Sequence, residues 1–164
     1  MAELLFIDPI NIAKTTILGG NVDRDKYTFC IYNAQLTVIE PLLGSELYDK
    51  IVTDVTNDTL SGDYLTLYTE FIQPITKNEA VADYIEISGV MVNNGGIYKH
   101  QADNAVNLDS QETDSISQKW HSLAQVYVDR FYKWICKNPL TEYKTSQDEV
   151  NASKDIKTDF GWYL

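Results

Sequence analysis

Side chains able to do chemistry are few in this sequence, and they stand far apart. His100, His121, Cys30 and Cys136 are all it offers for soft-metal ligation or thiol and imidazole catalysis. Neither histidine has a second ligand at a spacing that would close a zinc site, and the cysteines form no CxxC pair. His121 falls at the edge of an apolar stripe beside Trp120, where a helix-side histidine with locally satisfied nitrogens is expected. His100 follows Lys99 in a polar loop and reads as a surface residue. Carboxylates gather at Asp54 with Asp58, and at Asp109, Glu112 and Asp114. Either group could serve as an acid pair or weak cation site, but helix ends account for both. Motifs of the forms GxxxxGK[ST], GxGxxG, HExxH and GxSxG are all missing, and Gly95-Gly96 is too short to cradle a phosphate. The expectation is a chain that is not an enzyme and holds no cofactor or metal.

The elements that would position partners are easier to read. Asp8-Pro9 can cap and open a brief helix to about Lys14, and Gly19-Gly20 breaks the chain. Asp23 can cap a helix to about Glu40, where Pro41 should stop it. That helix carries two stripes: Tyr27, Cys30, Ile31, Ala34 and Val38 on one side, and Phe29, Tyr32, Leu36 and Ile39 on another. It is either central in its own bundle or pressed against a neighbouring subunit. Helices follow from Ser45 to about Asn57 and from Ser61 to Pro74, and another covers about Ile75 to Val92. Asn93-Asn94-Gly95-Gly96 ends it, and a polar connection from Ile97 to Leu108 begins with an extended piece at Ile97 to Lys99. The clearest element runs from about Ser110 to Asn138, with Ile116, Trp120, Leu123, Ala124, Tyr127, Val128, Phe131, Trp134 and Ile135 on one broad face.

Asp and Glu number 24 against 13 Lys and Arg, a net charge of -11 that opposes a general grip on nucleic acid. Tyrosines, at 11, outnumber Phe and Trp together, so some aromatic surface should face partners. No apolar run reaches membrane-spanning length, and Met1 to Ile7 lacks the basic start of a signal peptide. A cytoplasmic chain with reduced thiols is expected. Its end, Phe160-Gly161-Trp162-Tyr163-Leu164, is an aromatic tip on a polar tether and should dock, either on its own domain or on another chain. The reading is a mainly α protein: a small helical bundle of about five helices with a long amphipathic C-terminal helix and a polar loop. It divides into an N-terminal segment (1–22), a helical bundle domain (23–139) and an extended C-terminal arm (140–164), with no internal repeat.

The run Gly20-Asn21-Val22-Asp23, then Asn33-Ala34-Gln35, then Ile39-Glu40-Pro41-Leu42-Leu43-Gly44-Ser45-Glu46-Leu47-Tyr48-Asp49-Lys50-Ile51 is similar to small virion proteins of tailed phages and prophages of Bacteroides-type bacteria, crAss-like phages among them. Tyr64-Leu65-Thr66-Leu67, Phe71-Ile72-Gln73-Pro74, Asn94-Gly95-Gly96-Ile97, Cys136-Lys137-Asn138-Pro139 and Gly161-Trp162-Tyr163-Leu164 extend the likeness over most of the chain. The family resembles head-tail connector proteins, also called adaptor or ring proteins. The resemblance implies a structural virion protein at the head-tail junction, assembled in the host cytoplasm as a closed homo-oligomeric ring of about twelve copies. Its partners would be the portal protein and the next tail ring, with DNA passing without sequence-specific binding and no membrane involved. The alternatives are another virion assembly subunit and an acidic DNA-mimic decoy. The interface candidates are Phe29, Tyr32, Leu36 and Ile39; Asn94, Gly95, Gly96, Ile97 and Tyr98; and Phe160, Trp162, Tyr163 and Leu164.

Overall fold

Two prolines, each preceded by an isoleucine and a polar residue, set the course of the chain. The computed structural model describes residues 4–18, 24–88, 90–93, 96–99 and 110–143. Helix α1 (Pro9–Thr15) opens with Asp8 as its cap, the carboxylate accepting from the Ile10 amide at 2.7 Å. Helix α2 (Arg24–Ala34) does not stop before Pro41. It passes through a π-helical turn (Gln35–Ile39) into α3 (Glu40–Leu43) as one rod. The Glu40 amide reaches back five residues to the Gln35 carbonyl, and Pro41 follows at once. After α4 (Ser45–Thr56), α5 (Gly62–Leu67) runs through a second π-helical turn (Tyr68–Ile72) into α6 (Gln73–Ser88). There the Gln73 amide bonds the Tyr68 carbonyl, and Pro74 follows.

A proline inside an α-helix collides with the carbonyl four residues back and donates no amide hydrogen. At Pro41 and Pro74 those carbonyls belong to Thr37 and Glu70, both within the widened turns. The extra residue in each turn makes room for the ring, so the helix continues instead of ending. The sequences Ile39-Glu40-Pro41-Leu42 and Ile72-Gln73-Pro74-Ile75 thus use the same local device.

Gly44, at φ 78°, turns the chain between α3 and α4 in a conformation that favours glycine. The expected helix over Ile75 to Val92 ends at Ser88. Val90–Asn93 is strand β1, which pairs antiparallel with β2 (Gly96–Lys99), Val90 opposite Lys99 and Asn93 opposite Gly96. Three β-branched or extended-favouring residues in a row, Val90-Met91-Val92, followed by Asn-Gly turn chemistry, favour a hairpin over a helix end. Helix α7 (Ser110–Ile135) matches the expected long amphipathic element. Its last carbonyls are closed by Asn138, whose amide (2.9 Å) and side chain (3.0 Å) both donate to the Trp134 carbonyl.

The described residues form five continuous helical rods and one hairpin, a mainly α bundle. Helix α6 is its centre. Ile75, Thr76, Asn78, Ala80, Val81 and Ala82 are all buried and point around the whole helix, and α2 and α7 both pack against it. One core joins Ile39, Leu43, Leu47, Ile51, Leu67, Phe71, Ile75 and Phe131; a second joins Ile12, Tyr27, Cys30, Ile31, Ala34, Ala80 and Val81, with Trp120 against it. Within the segment read as residues 1–22, the described part packs on the bundle. Leu4 and Phe6 enter the first core while Leu5 and Ile7 enter the second, so this stretch, which bends at Phe6 and Ile7, is shared between the two.

The first residues read as the C-terminal arm, 140–143, pack on the bundle. Leu140 is buried, Tyr143 meets Phe131 edge-to-face at 5.7 Å, and Tyr64 donates to Glu142 at 2.7 Å. Residues 140–143 therefore belong to the bundle.

Candidate interface surfaces

Helix α2 sorts its side chains cleanly. Tyr27, Cys30, Ile31 and Ala34 are buried toward α6, while Phe29 is 65% exposed and Leu36 39% exposed on the opposite side, with Tyr32 half-buried beside them. Ile39, placed on this outer stripe by helical spacing, is fully buried in the first core. The π-helical turn is the cause: its extra residue rotates everything after Gln35 relative to a 3.6-residue period, and Ile39 swings inward. Ile39 is a core residue and leaves the interface set.

A second outward surface lies on α7. Ser117, Ala124, Phe131 and Ile135 are buried, whereas Val126 is 54% exposed and Leu123 42% exposed, with Lys119 and Arg130 in line with them at helical spacing. The sequence had placed Leu123 on the buried face; it stands at that face's margin. The Arg130 guanidinium lies over the Tyr127 ring at 5.3 Å, which holds it along the helix. This surface is both apolar and basic on a chain of net charge -11. Gly96, Ile97 and Tyr98 are placed in β2. Asn94, Gly95, His100, Phe160, Trp162, Tyr163 and Leu164 lie outside the described residues.

The titratable groups converge on α6 instead of on a cleft. Its Glu79, Asp83 and Glu86 reach three partners on two helices. His121 Nδ1 meets Glu79 at 2.5 Å and Nε2 stands 3.8 Å from Glu86; Asn33 donates to Asp83 at 3.0 Å; Ser117 donates to Glu86 at 2.7 Å. Burial raises the Glu79 carboxyl above its usual value, against the opposing pull of His121. The same burial, with Asp83 nearby, pushes the Cys30 thiol up to about 11, so it stays protonated and unreactive. Serine, histidine and carboxylate together suggest acyl transfer, but Ser117 is buried and spends its hydrogen on Glu86. The cluster fastens α2 and α7 to α6. Among the described residues no group of three or more His, Cys, Asp or Glu is arranged to hold a metal ion.

A second polar set fixes the point where the chain leaves the bundle. Lys50 pairs with the buried Asp54 at 2.5 Å and lies 4.9 Å from the centre of the Tyr64 ring. Burial and the hydrogen bond to Glu142 push Tyr64 up to about 12, so its hydroxyl remains a donor to that carboxylate at any ordinary pH. Asp54 thus works inside the fold, beyond the helix-end role read for it in the sequence.

The third arrangement was not anticipated. Gln35, buried in the first π-helical turn, accepts from the Phe6 amide at 2.7 Å and donates to the Leu4 carbonyl at 3.0 Å. Tyr68, in the second, donates to the Phe6 carbonyl at 2.7 Å, and Gln73 donates to the same oxygen at 3.0 Å. The Phe6 ring sits edge-on to Tyr48 (5.5 Å) and Tyr68 (5.9 Å) and is fully buried. The signal for this in the sequence is the pair of prolines Pro41 and Pro74, each just after a widened turn that starts at Gln35 or Tyr68.

Residues 39–151 match the Family of unknown function (DUF6712). This chain belongs to that family. The DUF6712 region begins within the first π-helical turn and takes in the central helix α6, the hairpin and all of α7. No curated protein matches the chain. No solved structure matches it either.

Proposed function

We propose that this chain is a structural ring subunit of a phage head-tail connector, joining the portal to the next tail ring and lining part of the DNA channel. One observation carries the reading: two separate helices, α2 and α7, each bury one face on α6 and turn an apolar surface outward, Phe29 with Leu36 on one and Leu123 with Val126 on the other. A ring closes through a heterologous contact, in which each copy uses two different surfaces. A single isologous dimer needs only one. The basic character that Lys119 and Arg130 give the α7 surface suits a neighbour that carries the net negative charge of this chain. The same negative charge keeps a channel wall from holding DNA.

The test is light scattering on the chain alone and mixed with the portal protein encoded near it, repeated with Leu36→Glu and Val126→Glu. A ring, or stoichiometric capture by the portal, is expected for the unaltered chain, and each variant should abolish ring closure. A mixture of the two variants should give a dimer, because each retains the surface the other lacks. A stable monomer indifferent to the portal, or variants that assemble unchanged, overturns the reading.

A further inference from the structure

The last two turns of α7 border a hollow that the described residues leave open. Asp129, Tyr132, Lys133, Cys136 and Lys137 line it, a mostly apolar space of about 620 Å³. A smaller hollow between Ile135, Cys136, Pro139 and Tyr143 adjoins it, with Cys136 common to both. Tyr132 is 47% exposed, and the Cys136 thiol is exposed beside it. Asp129 accepts from Gln125 at 2.9 Å, but Lys133 and Lys137 make no ion pair among the described residues. An aromatic and thiol wall with two uncommitted cations at its edge suits an aromatic occupant that carries a carboxylate.

We propose that this hollow is the docking site of the chain's own segment Phe160 to Leu164, with Asp159 set beside Lys133 and Lys137. The chain is led to the site. Tyr143 walls the adjoining hollow and is held there by its edge-to-face contact with Phe131 at 5.7 Å, while Glu142 accepts from Tyr64 at 2.7 Å. Sixteen residues, 144–159, separate this fixed point from Phe160. They would span about 24 Å as a helix and roughly 53 Å fully extended, and the lining residues cover only about 12 Å of α7, so the site is within reach in either form. A connection of this length holds its cargo at an effective concentration on the order of millimolar, which favours the chain's own segment over one from a dilute second copy. The chemistry matches as well: Phe160, Trp162 and Tyr163 put three aromatic rings within four residues, directly after the Asp159 carboxylate.

Cys136 itself reports whether the hollow is filled. Cys30 is buried and stays protonated, so iodoacetamide at neutral pH reads Cys136 alone. The experiment uses the full chain carrying Leu36→Glu, which blocks the proposed ring contact, and the same chain with Phe160→Ala, Trp162→Ala and Tyr163→Ala added. A local Kd of about 0.1 mM against a millimolar effective concentration leaves the hollow open about a tenth of the time. Alkylation of Cys136 should therefore be about tenfold slower with the aromatic residues present, and the two chains should react alike in urea. In the same Leu36→Glu chain, Trp162→Cys should form a disulfide with Cys136 within one chain under mild oxidation. Equal alkylation rates in the folded chains overturn the proposal. A Trp162→Cys bridge that joins two chains overturns it too, since it would assign the segment to a neighbour. Ring closure is absent from every sample, so these results stand apart from the success or failure of the connector reading.

Discussion

The Phe6 carbonyl accepts two hydrogen bonds, from Tyr68 at 2.7 Å and Gln73 at 3.0 Å, inside a residue with no exposed surface. Replacing one donor leaves the other in place. Tyr68→Phe or Gln73→Leu alone should therefore cost about 1 kcal/mol, the net worth of one hydrogen bond. Replacing both strands the oxygen away from water, which adds roughly 1–3 kcal/mol for an unsatisfied buried acceptor. The double variant should lose about 3–5 kcal/mol, against about 2 for the sum of the singles, a coupling of roughly 1–3 kcal/mol. Urea unfolding followed by circular dichroism measures all four corners of the cycle, and shared slopes with shifted midpoints show that only stability has changed. Changes to helix propensity from Gln73→Leu appear in the single and the double alike, so they cancel. Additivity within about 0.5 kcal/mol would refute the claim that both donors serve one carbonyl.

Three further predictions follow from buried groups and outward surfaces. The Tyr27 hydroxyl is buried with no hydrogen-bond partner among the described residues, so Tyr27→Phe should leave stability unchanged or raise it, by about 1–3 kcal/mol of relieved desolvation at most; a loss above about 1 kcal/mol would reveal a partner such as a buried water. Glu79 has a raised carboxyl pKa, which means the folded chain holds that proton more tightly than the unfolded one. Its contribution to stability is present below the ordinary value of 4.5 and is lost as pH rises through the raised value, so the stability of Glu79→Gln relative to the unaltered chain should improve over that interval and then level off in denaturant titrations. Leu36→Glu and Val126→Glu alter exposed positions and should shift thermal stability by no more than about 0.5 kcal/mol while blocking ring closure; unfolding of either would mean that its helix face is part of the core.

Much of the bundle was legible because its signals are local. The Asp8-Pro9 start, the long α7 and the extended piece after Gly96 follow from caps, period and turn residues alone. The errors at the two prolines and at Ile39 share one cause. Pro41 and Pro74 look like stops, since a proline's clash is a local rule, yet a widened turn just before each satisfies it within a continuous helix. The added residue also shifted the phase of the stripe, which carried Ile39 from the predicted surface into the core. Helix α6 shows a different limit: buried on all sides, it has little amphipathic contrast, so its central position could not be read from periodicity. Phe29 and Leu36 could be found as an outer stripe, but the cradle around Phe6 could not, because it joins positions separated by 29 to 67 residues.

Those separations matter on the ribosome. Leu4 to Ile7 is made before the helices that bury it, and its last hydrogen-bond donor, Gln73, lies 67 residues later than Phe6. At roughly 5–20 residues per second, about 3–13 s of synthesis pass before the site that buries the segment exists. Through that interval four consecutive apolar residues have only the exit tunnel, or a chaperone, to cover them. This segment is thus secured among later elements of the fold, and a nascent chain halted before Gln73 presents an apolar strip that the finished protein hides.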